Sequence, residues 1–225
     1  MANLWANPLF GIFLTVIAFY IGDRIAKKIK SPVANPLLIA MVLCVAVLKL
    51  LDISYEDYME GGQFISLFLV PATAMIGLSI YRQRKVLKQQ FLPIVIGCLA
   101  GSLISMGSTI LLCRMLALHQ EMLASLIPKS VTTAIALDLS DQLGGLRSVT
   151  MMAVIVCGIG GAIIHPFIIR LLKLKDPVAT GVAFGTASHA IGTAKAIEMG
   201  EVEGAVSGVS MGIAGICTVI VALFL

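Results

Sequence analysis

Residues 185–196 read Gly-Thr-Ala-Ser-His-Ala-Ile-Gly-Thr-Ala-Lys-Ala, a run of small residues, hydroxyls, one imidazole and one ammonium in an otherwise apolar chain. At membrane depth each such group needs a protein partner or water, so polarity of this kind marks a functional site by default. A second run, Ile127-Pro128-Lys129-Ser130-Val131-Thr132-Thr133, has the same ingredients. Pro128 suits the first position of a helix, so 127–130 reads as a break followed by a helical arm bearing Thr132 and Thr133. Pro177 opens another arm, and Ser188–Gly192 reads as a break before an arm carrying Thr193 and Lys195. A helix N-terminus at each break offers free N–H groups and the positive end of the helix dipole.

That is anion chemistry. Lys129, Ser130, Thr132 and Thr133 on one side, with Ser188, His189, Gly192, Thr193 and Lys195 on the other, are candidate ligands for a small carboxylate. A cation would find too few carboxylates, because Asp138 and Glu198 lie several residues beyond the breaks. Structural roles compete with each assignment. Lys129 would snorkel or pair with Asp138, Lys195 would pair with Glu198 or Glu201, and His189 would bond a neighbouring helix or carry a coupled proton.

Catalysis is not indicated. Ser188 and His189 are adjacent and cannot form triad geometry by themselves, no acid is placed to orient the imidazole, and the three histidines lack metal-ligand spacing. The five cysteines fall within or at the ends of apolar stretches without C-x-x-C spacing. No cofactor and no metal is therefore expected. The net charge of +4 comes from bases in short loops, which set topology and do not point to nucleic acid.

The elements that must position these residues are membrane helices. Of 225 residues 59% are apolar and 12% charged, with a mean hydropathy of +1.01, which is the composition of an integral membrane protein. Apolar stretches at 7–22, 34–51, 63–80, 91–113, 148–169 and 204–225 each approach the ~20 residues that cross a bilayer as helix. Basic clusters at 24–30, 82–88 and 170–175 place those loops in the cytoplasm and the N-terminus outside. Residues 119–147 then start and finish on one face, as do 177–200 on the other. Both become re-entrant hairpins, with arms of ~13 residues reaching ~20 Å into a ~30 Å core.

The expected fold is all-α: about six transmembrane helices plus two opposed re-entrant hairpins forming an inverted repeat. A 60-residue offset supports the repeat, matching Thr133 with Thr193, Ala136 with Ala196, Gly144 with Gly204 and Cys157 with Cys217, and setting Lys129 on His189. Residues 1–118 form a scaffold and oligomerisation unit. Residues 119–225 form a transport unit of hairpin 119–147, span 148–172, hairpin 177–200 and span 203–225. Small residues every fourth position, at Gly97, Gly101, Ser105 and Thr109 and from Gly192 to Gly212, are close-packing stripes. Lys49, Arg114 and His165 take no assigned role.

Together with Gly144-Gly145, Asp176-Pro177 and Gly185–Ala194, the 127–133 run resembles the LrgB/CidB family. That resemblance implies a bacterial inner-membrane protein, an antiholin-like modulator of murein hydrolase export and autolysis, often beside a small LrgA/CidA-type membrane partner. It also implies kinship with plastid glycolate/glycerate transporters and with pyruvate movement, hence a small monocarboxylate substrate. Two departures stand out. Ala134 replaces the family's usual Pro, and Lys195 replaces a common Arg, losing the bidentate fork that suits carboxylates. The favoured expectation is a secondary transporter of glycolate-, glycerate- or pyruvate-like anions, as a homodimer. The alternative is an antiholin-like regulator of lysis.

Overall fold

The structure is a computed structural model that describes residue 5 and residues 7–29 and 34–225. Lys30 of the first basic cluster lies outside the described residues. The secondary structure of the described residues is helical: α1 (Pro8–Ile29), α2 (Pro36–Leu50), α3 (Tyr55–Ser66), α4 (Leu69–Arg82), α5 (Arg84–Gln89), α6 (Phe91–Met115), α7 (Gln120–Leu126), α8 (Thr133–Gln142), α9 (Arg147–Leu171), α10 (Pro177–Met199) and α11 (Glu201–Ala222). It forms two compact units, Met1–Met75 and Ile76–Leu225.

Five described helical segments are long and apolar enough to cross a membrane, where six were expected. The stretch at 34–51 accounts for the difference. Asn35 caps α2 by accepting from the N–H groups of Leu37 and Leu38, and Pro36 occupies the first turn. Asp52, at φ 52°, ends it, with the Ile53 N–H returning to the Leu48 carbonyl at 2.9 Å. Fifteen residues at 1.5 Å each give about 22 Å, short of a ~30 Å core. The stretch at 63–80 instead lies within a longer span, Tyr55–Arg82, interrupted at Leu67–Phe68. Pro71 lacks the N–H that would bond the Leu67 carbonyl, which explains the interruption.

In the first unit α1 packs on α2 and α3, and glycines set the approach. A Cβ on Gly61 would meet the Pro8 carbonyl oxygen and come within 2.7 Å of Gly11 Cα, and one on Gly11 would meet the Tyr58 carbonyl oxygen. Beside this crossing the Thr15 and Tyr58 hydroxyls bond at 2.8 Å.

In the second unit α10 packs on α11 and α9, and α6 packs on both α10 and α11. Ile94, Cys98 and Val206 form one buried cluster, and Met106, Ile127, Leu139 and Ala222 another. Helix α7 has 7 residues and α8 has 10, so the arms of the 119–147 segment are shorter than the ~13 expected. The turn after α8 uses both of its glycines. Gly144 takes φ 78°, and a Cβ on Gly145 would strike the Ser140 hydroxyl and lie 2.8 Å from the Ser125 nitrogen.

The α1–α3 crossing yields the first prediction. Gly61→Ala should destabilise the protein by about 1–3 kcal/mol, the usual cost of overpacking. Gly107→Ala, where an added Cβ meets nothing within 4 Å, should be neutral or stabilising. Thermal unfolding in detergent compares them, and equal midpoints would contradict the close crossing.

Candidate functional site

Helix α10 begins as its sequence dictates, with Asp176 accepting from the Val178 N–H at 2.8 Å and Pro177 in the first turn. Its regularity fails at His189, where φ is 40° and ψ is −136°. A residue with a side chain pays on the order of 1–3 kcal/mol for such a conformation and keeps it only where its surroundings impose it. Here the imposing contact is visible. Nε2 of His189 donates to the Val154 carbonyl of α9 at 2.9 Å, and the residue is 3% exposed.

Glycines of α9 make room for this turn. A Cβ at Gly158 would lie 2.6 Å from His189 Cε1, and one at Gly161 would fall on the Ser188 hydroxyl. Gly192 serves the same purpose one turn on, because a Cβ there would strike that of Ser188. Gly192 is thus a packing position in the break.

The polar groups around the break are buried and bonded. Ser188 Oγ lies 3.2 Å from His165 Nδ1, and the His165 ring stands edge-on to Phe184 at 5.0 Å. Thr193 Oγ1 donates to the His189 carbonyl at 2.9 Å, so it accepts from Ser207 Oγ of α11 at 2.8 Å. The Ala187 carbonyl accepts from Cys157 Sγ at 3.3 Å.

The first break spans 127–132 and differs in form. Thr132 is the N-cap of α8, so the new arm starts at Thr133 and not just after Pro128. Turns fill the gap, with the Val131 N–H bonding the Pro128 carbonyl at 3.3 Å. Lys129, half-buried, points its ammonium at α6: it lies 3.4 Å from both the carbonyl and the hydroxyl oxygen of Ser105 and contacts Thr109 Oγ1 more closely. Ser105 Oγ in turn donates to Ser130 Oγ at 3.0 Å. Among the described residues no ion pair includes Lys129, and Asp138 is exposed.

Both breaks converge on one stretch of α9. The Val154 side chain packs with Val131 and Ala136, while its carbonyl holds His189. About one turn further along α9, Cys157 bonds the Ala187 carbonyl just before the second break. The residues matched by the 60-residue offset share a habit: Lys129 and His189 each present an N–H to a main-chain oxygen of a neighbouring long helix. Thr133 and Thr193 do not match, the first being exposed and the second fully buried.

Lys195 stands apart from this cluster. Its ammonium pairs with Glu198 at 2.6 Å, with 40% of its side chain exposed, which is the structural alternative raised by the sequence. Sequence reasoning missed His165, Ser105, Thr109 and Ser207 as partners. The signals were present: His165 precedes a helix-interior Pro166, and Ser105 and Thr109 are the polar members of a small-residue stripe.

Five apolar spans and two broken segments whose buried polar groups meet on one helix define a multi-pass helical membrane protein. The chain belongs to the LrgB-like family, whose model matches residues 15–225. It is 39% identical over 216 residues to the Antiholin-like protein LrgB of Bacillus subtilis (strain 168), covering 96% of this chain and 94% of that one. Proteins of the same name from Bacillus mycoides (strain KBAB4) and Bacillus cereus (strain B4264) are 36% identical over the same length. No solved structure matches the chain.

The strained turn makes an ordering testable. His189→Gly relieves the positive φ and His189→Ala does not, while both lose the bond to Val154. The glycine variant should therefore be the more stable of the two by about 1 kcal/mol in thermal unfolding. An alanine variant at least as stable would remove the strain. Gly161→Val should cost at least about 1–3 kcal/mol, since its side chain would displace Ser188.

Proposed function

We propose that this chain is an antiholin-like protein of the bacterial inner membrane that restrains murein hydrolase export and so slows autolysis. The reading rests on the relatives that bear that name at 36–39% identity along 96% of the chain. The proposal includes an external N-terminus and a homodimer, with a small LrgA/CidA-type membrane protein as partner. Its direct test is detergent-induced autolysis of a bacterium lacking its own copy. Expression of the chain should slow lysis and lower released murein hydrolase activity, and unchanged lysis would sink the reading.

One observation favours a second reading, in which the same protein carries a small monocarboxylate such as glycolate, glycerate or pyruvate. Lys129 holds an ammonium in a helix break with hydroxyls and a carbonyl as its hydrogen-bond partners, an arrangement that leaves positive charge for an anion. In this proposal residues 119–147 and 177–200 are re-entrant hairpins of an inverted repeat, and 119–225 moves against a scaffold within 1–118. Lys129, Ser130, Thr132 and Thr133 meet the anion from one side and Ser188, His189 and Thr193, once released from their present hydrogen-bond partners, from the other, with Ser105 and Thr109 of α6 completing the first half. His189 would carry any coupled proton only by releasing Val154. Lys195 is left out because Glu198 already neutralises it.

Reconstituted liposomes separate the readings. Saturable uptake of labelled monocarboxylate, reduced about tenfold or more in Lys129→Gln, is expected of a carrier, since a charged hydrogen bond contributes roughly 1.5–3 kcal/mol. Uptake equal in both proteins would reject the anion site. If Lys129→Gln loses uptake yet still slows lysis, restraint of lysis does not depend on carriage.

A further inference from the structure

A groove of about 500 Å³ lies between the end of α4 and the start of α6, lined by Gly77, Ile80 and Phe91 on its apolar side and by Tyr81, Arg84 and Lys88 at its polar end. That volume falls within the ~300–1,000 Å³ of ordinary ligand sites. We propose that it binds one anionic phospholipid of the surrounding bilayer, with the headgroup phosphate on Arg84 and Lys88 and an acyl chain along Gly77, Ile80 and Phe91.

Three observations carry the proposal. The first is charge: residues 82–91 hold Arg82, Arg84, Lys85 and Lys88 and no carboxylate, and nearby Glu201 is bonded by Gln83 at 3.3 Å. The second is preorganisation. Arg84 donates one N–H to the Tyr81 carbonyl at 3.0 Å and its guanidinium lies 4.4 Å from the centre of the Tyr81 ring. Most of its five donors stay free in a fixed orientation, and a guanidinium fork suits phosphate.

The third is position. The span Tyr55–Arg82 ends where the cations begin, so the apolar wall continues into the layer of lipid tails while Arg84 and Lys88 stand at headgroup level. A free phosphate compound would use the cations and leave that wall bare. The space beside Gly77 is open, since a Cβ there meets nothing within 4 Å, so only a large side chain would fill it.

Native mass spectrometry of the purified full chain, delipidated and titrated with phosphatidylglycerol or phosphatidylcholine, tests the assignment. The wild type should retain one phosphatidylglycerol with at least a several-fold preference over phosphatidylcholine. Arg84→Gln/Lys88→Gln should abolish the preference, and Gly77→Leu should weaken retention of both lipids by filling the groove. Arg82→Gln/Lys85→Gln, which removes bases outside the groove, should change neither. Equal binding of the two lipids by the wild type overturns the proposal. So does an equal loss in the Arg82/Lys85 variant, which would indicate diffuse surface charge, or displacement of the lipid by millimolar inorganic phosphate, which would indicate a soluble anion. If Gly77→Leu fails to fold, the two charge variants decide the matter alone.

Discussion

The second unit is organised around one hydrogen bond, from the His189 imidazole to the Val154 carbonyl. In a hydrocarbon layer no water replaces a lost partner, so irregular backbone survives only where protein groups satisfy it. The carbonyl has a second lone pair to spare, which lets α9 keep its helix while serving α10. Without that bond the positive φ of His189 would have no compensation. The positions of Ser188 and Thr193, on either side of it, follow from that one residue.

Side-chain size on α9 is the complementary requirement. Gly158 and Gly161 bring the helices close enough for the His189 bond to form, and Cys157 reaches the Ala187 carbonyl beside them. Hydroxyls and thiols extend this economy to the α6–α11 contact, where Cys98 donates to the Ser210 carbonyl and Ser102 to that of Ala214. Among the described residues, the buried hydroxyls left without a partner are those of Ser210 and Thr218, both on α11. Each costs roughly 1–3 kcal/mol if left dry.

Much of this was legible before any coordinates. Apolar length identified five spans and over-read the stretch at 34–51, and proline and glycine chemistry located both interruptions. The break within Ser188–Gly192 falls at His189, and the start at Pro177 is capped by Asp176. Other features depended on through-space facts. The first arm begins at Thr133 because turns after Pro128 consume residues that a proline rule assigns to the helix. Lys129 turns to α6 and not to Asp138, a choice set by helix packing and invisible in local spacing. His165 reads as an isolated polar residue until α10 brings Ser188 against it. The LrgB/CidB resemblance, resting on a few short motifs, extends to residues 15–225.

The short helix α2 has an effect beyond the protein. Its 15 residues, bounded by the Asn35 cap and the turn at Asp52, are too few to match a bilayer core of ~30 Å. Such hydrophobic mismatch is met by thinning the bilayer locally or by extending flanking side chains, and Lys49 in the last turn is placed to do the second. Each remedy costs a fraction of a kcal/mol per ångström. A helix of this length set across such a core would tie the stability of the fold to the acyl-chain length of its host membrane.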